Sequence, residues 1–303
     1  MSPDHFYRQI IGQIRWLVAV VMVSVFLALQ VLPAHAREVF STGVDPAINS
    51  VLSNTLLVTW YGNPNDPRMG VLGQYAGEDL AQRLEKQAAA YADLTNKRIQ
   101  PGYELVAVVA QGSPGADGMW RRRESPNVID SMLQQARAHG FKLILDVQLG
   151  QSTVQDELAY LRPWLKQPDV YLALDPEFDM WSGQTPGVEI GHTMAYEVNY
   201  AINYLHDLII QYGLPPKVLI VHQFTLHMLP DKQNITRSPN VDLVLDMDGF
   251  GSQALKLDTY RTVMDQGQLD FAGIKLFYDQ DSNMFTPAQV MKLNPVPSVV
   301  IYQ

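Results

Sequence analysis

The sequence predicts an α/β fold of one kind, a (β/α)8 TIM-type barrel with its last helix missing. Three observations predict it. Eight short apolar runs alternate with amphipathic stretches over nearly the whole chain of 303 residues, and eight parallel strands are the number that closes a barrel. No glycine-rich phosphate loop follows the first run, where Trp60-Tyr61-Gly62-Asn63-Pro64 stands, and this argues against an open doubly wound sheet. Four of the runs end in acid: Lys142–Gln148, Val170–Asp179, Val241–Asp248 and Ile274–Asp279. In a barrel the carboxyl ends of the strands build the active face, so these acids gather at one mouth.

The strands are expected at Thr55–Trp60, Leu105–Ala110, Lys142–Val147, Val170–Leu174, Val218–His222, Val241–Met247, Phe271–Leu276 and Ser298–Ile301. Each is a short apolar run rich in β-branched residues and bounded by Gly, Pro or Asn, the signature of a strand buried on both faces. Between them, Gly77–Leu94 places Leu80, Leu84, Ala88 and Tyr91 on one helical face. Val128–His139, Val154–Trp164, Ala195–Tyr212, Ala254–Asp265 and Pro287–Leu293 follow the same period. The stretch after Phe224 is less regular and leaves room for a short helix only. The segment from Asp45 to Asn54 is expected to replace the final helix or to close the barrel bottom.

The first 36 residues read as an export signal: Arg8 and Arg15 precede the apolar run Trp16–Leu32, and Ala34-His35-Ala36 is a small-x-small cleavage site. The run is long for a signal core, so an uncleaved anchor is the alternative. Residues 37–303 are then a single exported barrel domain. Cysteine is absent, which excludes disulfides and leaves stability to one large core. A net charge of −9, or −10 once Asp4, Arg8 and Arg15 leave with the signal, argues against nucleic acid because no basic stripe meets phosphate. An acidic cleft suits neutral or cationic ligands better than polyanions.

Reading the carboxyl end of each strand gives Tyr61, Gln111, Asp146 with Gln148, Asp175 with Glu177, His222 with Gln223, Asp246 with Asp248, Lys275 with Asp279, and Tyr302. Trp181, Phe178, Phe224, Phe250 and Phe277 crowd the same loops. Residues two apart on a strand share a face, so Asp175 and Glu177 are expected to converge where the strand opens, which raises at least one pKa. Carboxyls ringed by aromatic platforms suit carbohydrate: C–H faces stack on rings, and glycosidic bonds yield to paired carboxyls. Several of these residues have ordinary alternatives. Asp146 and Asp279 suit helix caps, Glu197 suits a helix dipole, and Lys275 suits a buried salt bridge to Asp246 or Asp279. No His-x-His or His-Glu-x-x-His spacing marks a metal site.

Tyr61-Gly62-Asn63-Pro64, Met69–Gly73, Leu145–Gln148, Leu172–Glu177, Glu197-Val198-Asn199 and His222-Gln223-Phe224 together resemble a group of exported bacterial proteins of unassigned activity. More loosely, Asp175-Pro176-Glu177 resembles the Asp-x-Glu that ends the fourth strand of family-18 chitinase barrels. That resemblance implies Glu177 as the acid and Asp175 as support for a substrate N-acetyl group. Tyr171 and Ala173 stand where those enzymes carry further acids.

The function expected is an exported glycoside-hydrolase-like barrel acting on polysaccharide. Glu177 would be general acid, with Asp175, Asp246 and Asp248 as the other catalytic carboxyls. Tyr61, Asp146, Gln148, Trp181, His222, Gln223, Asp279 and Tyr302 would bind substrate, and no cofactor is required. Two alternatives stay open. One is a Mg- or Ca-dependent hydrolase or lyase holding the ion through Asp146, Asp175, Glu177, Asp246 and Asp248; the other is a barrel that binds glycan without cleaving it. The partner is a carbohydrate or other small polar molecule, and a membrane enters only if the leader is retained.

Overall fold

Strand β1 (Thr55–Gly62) hydrogen-bonds in parallel to both β2 (Arg98–Ala110) and β9 (Val299–Tyr302), and this double pairing closes the sheet. The computed structural model describes residues 50–265 and 270–303, all within one compact unit, Pro46–Gln303. The expected export leader, residues 1–36, lies outside the described residues. From β2 the ring continues through β4 (Lys142–Val147), β5 (Val170–Leu174), β6 (Lys217–Gln223), β7 (Val241–Met247) and β8 (Phe271–Leu276), every step parallel. This is the (β/α)8 barrel expected from the alternation. Helices α1 (Gly77–Ala89), α2 (Pro126–Ala138), α3 (Val154–Leu165), α4 (Ala195–Tyr212), α5 (Gln253–Asp265) and the single turn α6 (Pro287–Val290) lie between strands.

Alternation along the strands divides the apolar side chains into two clusters. Leu57, Ile144, Tyr171, Ala173, Val218, Ile220, Val244, Val299 and Ile301 fill the inside of the barrel. Leu56, Leu105, Leu143, Leu172, Leu219, Leu243 and Val300 face outward against helix residues such as Leu80, Leu84, Leu158 and Leu205. Each fully buried side chain of this size contributes about 1.5–3 kcal/mol, which lets a cysteine-free chain hold itself together. In β2 the register against β4 shifts between Val106 and Val108. Ala107 and Val108 both face outward there, and Val109 returns to the inside. Such a one-residue bulge re-aims the strand at the rim.

The lower end of the barrel is closed by residues 50–54. Leu52 inserts into the inner cluster, and its backbone N–H donates to Asp242 at 2.8 Å while Lys97 donates to its carbonyl at 2.7 Å. One departure from expectation stands out. Arg121–Arg123 forms a short strand, β3, antiparallel to the end of β2. It is held by Arg121 and Arg123, which converge on the buried Glu157 of α3 at 2.8 and 2.7 Å. The irregular stretch after Phe224 holds only short helical turns, as expected: two 3-10 turns, Leu226–Met228 and Lys232–Asn234.

Candidate active site

The mouth at the carboxyl ends of the strands holds a cavity of about 700 Å³. Tyr61, Gln148, Asp175, Glu177, Asp248 and Lys275 line it with polar groups, and Phe178, Phe224, Phe250 and Phe277 give it aromatic walls. Asp66 and Arg68 also line it and pair with one another at 2.7 Å.

Glu177 reaches the cavity by a different route from the one period-two alternation suggests. Strand β5 ends at Leu174, and Pro176 opens a 3-10 turn, Pro176–Phe178, that carries Glu177. Proline cannot donate to the ladder, so the chain leaves the sheet there. The Gly191 N–H donates to the Glu177 carbonyl at 2.8 Å and holds the turn. A side chain at Gly191 would collide with the Asp179 backbone, so glycine is what lets the following loop fold over this point. Burial, and next the charge of Asp248, push the Glu177 carboxyl up to about 7. Asp175 is raised well above the carboxylate range by burial and then by Glu177.

Beneath the cavity lies a sealed polar layer centred on His222. Its Nδ1 is 3.0 Å from Asp246 and its Nε2 is 3.2 Å from Glu104, and all three residues are 0% exposed. Thr59 donates to the other Glu104 oxygen at 3.0 Å. Burial alone would lower the imidazole pKa, but hydrogen bonds to Asp246 and Glu104 raise it well above the ordinary value, so His222 stays an imidazolium. Burial raises both Asp146 and Asp246, with His222 opposing. Asp246 fits because β8 has glycine at the facing position: a Cβ on Gly273 would lie 2.6 Å from Asp246 Oδ1.

A chain of contacts links this layer to the cavity. Tyr61 donates its hydroxyl proton to Asp146 at 2.9 Å, and Gln148 Nε2 lies 3.2 Å from the Tyr61 oxygen and 3.4 Å from Asp175. Lys275 makes neither of the expected salt bridges. Its Nζ sits 3.4 Å from the centre of the Tyr61 ring, and although burial opposes its charge, Asp248 and Asp175 keep its pKa above the usual value.

The structure therefore brings Tyr61, Gln148, Asp175, Glu177 and Asp248 together at the cavity, with Asp146, His222 and Asp246 directly beneath. These last three do not touch the cavity, so Asp246 serves His222 rather than a ligand. Four other expected residues are elsewhere. Gln223 follows inward His222 and so faces outward, accepting from Lys232 at 3.2 Å. Tyr302 follows inward Ile301 and pairs its hydroxyl with Tyr91 at 2.7 Å, under α1. Asp279 lies exposed in the turn after β8. Trp181 is 50% exposed and stacks on His192, with centroids 4.7 Å apart, outside the cavity lining. Glu197 caps α4, accepting from the Met194 N–H at 3.0 Å. Sequence reasoning missed Glu104 and Thr59; the available signal was a lone acid between Tyr103 and the apolar run that begins at Leu105.

Among the described residues no group of three or more His, Cys, Asp or Glu side chains is arranged to hold a metal ion. No helix among them is long and apolar enough to cross a membrane.

No protein-family model matches the chain, so the likeness to family-18 chitinases rests on Asp175-Pro176-Glu177 alone. No curated protein matches it either. Among solved structures, the Clostridial cellulose synthase subunit Z from Clostridioides difficile is similar at 8% identity, over 82% of this chain and 91% of that one, with a TM-score of 0.41. Likeness at that level carries no chemistry across.

Proposed function

We propose that this barrel is an exported glycoside hydrolase in which Glu177 is the general acid. One observation carries the proposal: three carboxyls, Asp175, Glu177 and Asp248, line a single aromatic-walled cavity at the catalytic end of the barrel. The perturbed carboxyl of Glu177 supports the assignment, since an acid poised near 7 still holds its proton close to neutral pH. Phe178, Phe224, Phe250 and Phe277 suit the C–H faces of sugar rings.

In this mechanism Glu177 transfers its proton to the glycosidic oxygen as the C–O bond breaks, and the sugar leaves as a neutral alcohol. Asp248 is the second carboxyl: it faces the positive charge that develops at the anomeric carbon, and acts there on carbon or on water. Asp175, tied through Gln148 and Tyr61 to the buried layer, binds substrate beside Glu177. Lys275 and His222 place positive charge near the acids and oppose the rise of the Glu177 carboxyl.

The test is a polysaccharide panel read by new reducing ends, first with the purified protein and then with Glu177→Gln. Cleavage of at least one glycan is expected. Its rate should fall by about 10²–10⁴ in the variant, the usual contribution of a general acid, while binding persists. Binding without any cleavage by the unaltered protein would contradict the proposal.

A further inference from the structure

The cavity is short of positive charge. Asp175, Glu177 and Asp248 face it with one ammonium, Lys275, and Arg68 is already engaged by Asp66. Among the described residues two carboxyl oxygens there have no hydrogen-bond partner: Asp175 Oδ1 and Asp248 Oδ1. Their residues are only 3% and 6% exposed. A buried oxygen left unpaired is costly, and a ligand that supplies donors and positive charge removes that cost on binding. Lys275 does not fill the role. It rests on the Tyr61 ring, and among the described residues no carboxylate oxygen comes within the 4.0 Å of an ion pair. Among the described residues no group of three or more His, Cys, Asp or Glu is arranged for a metal ion either. The aromatic walls fit an organic cation, because an ammonium is also attracted to ring faces.

We infer that the cavity selects an amino sugar, a glycan unit whose free ammonium pairs with Asp248 and donates to the carboxyl oxygen of Asp175. This rests on the reading of the cavity as a glycan site and narrows it to de-acetylated, cationic chains. An N-acetyl group would offer the two oxygens one amide donor and no charge. A plain hydroxyl would offer a donor without charge.

The experiment is a calorimetric titration of purified Glu177→Gln protein at neutral pH with three probes: glucosamine hexamer, N-acetylglucosamine hexamer and cellohexaose. The glucosamine hexamer is expected to bind at least about tenfold more tightly than either neutral chain, the factor one charge-assisted hydrogen bond supplies. Asp248→Asn on the same background should reduce that preference. Glucosamine against glucose and N-acetylglucosamine on the unaltered protein gives the same order without relying on a variant that folds. Equal or weaker binding of the glucosamine hexamer, or no binding of any probe, overturns the inference. If neutral glycan is nevertheless cleaved in a Glu177-dependent way, the hydrolase assignment stands and only the cationic selectivity falls. If glucosamine chains are preferred but nothing is cleaved, the selectivity stands and the hydrolase assignment falls.

Discussion

Replacing Glu177 by glutamine should stabilise the protein in alkali while disabling it. Burial and the facing charge of Asp248 raise the Glu177 carboxyl from its ordinary 4.5 to about 7, with Lys275 and His222 opposing. A raised carboxyl binds its proton more tightly folded than unfolded. Stability therefore falls as pH rises from 4.5 to about 7, and the cost is complete above 7. At ~1.4 kcal/mol per pH unit the whole gap is worth up to roughly 3 kcal/mol. Glutamine keeps the shape and never ionises, so it escapes this cost. Urea unfolding of the two proteins should give curves that nearly coincide at pH 4.5 and separate above pH 7, the variant being the more stable by up to roughly 3 kcal/mol. A gap that does not change with pH, or a variant less stable in alkali, would refute the reasoning.

Three further outcomes are expected. His222→Gln removes the charge between Asp246 and Glu104 and leaves buried carboxyls unpaired; urea unfolding at neutral pH should show a loss of about 3–5 kcal/mol, shrinking in acid as Asp246 takes up its proton. Gly273→Ala puts a methyl group 2.6 Å from Asp246 Oδ1 and 3.1 Å from a Val244 methyl, and should cost about 1–3 kcal/mol by thermal unfolding. N-terminal sequencing of the exported protein should find Arg37 first, after the Ala34-His35-Ala36 site, whereas an intact Met1 in the membrane fraction would favour the anchor.

The barrel was legible because each strand is a short apolar run and each helix carries a 3.6-residue stripe, so Lys142–Val147, Val170–Leu174, Val241–Met247 and Phe271–Leu276 fall where they were expected. Strand β3 was not, because Arg121–Arg123 has no apolar pattern; it forms through the distant Glu157. The site was half legible. A strand buried on both faces is apolar on both, so alternation does not announce which end residue turns inward. That parity separates His222 from Gln223 and Ile301 from Tyr302. The convergence of Asp175 and Glu177 was anticipated for the wrong reason, since Pro176 replaces the strand by a turn. Glu104 lies one residue before the run expected to form β2, and only the closed ring shows that it meets His222 across the barrel.

The most direct test of Glu177 as proton donor compares leaving groups. Once a cleaved glycan is known, kcat/KM is measured for it and for an aryl glycoside of the same sugar, in the unaltered protein and in Glu177→Gln. A good leaving group departs without protonation, so the variant should lose about 10²–10⁴ on the natural glycan and far less in cleaving the aryl glycoside. Equal losses on both substrates, or near-normal turnover of the natural glycan, would contradict the account.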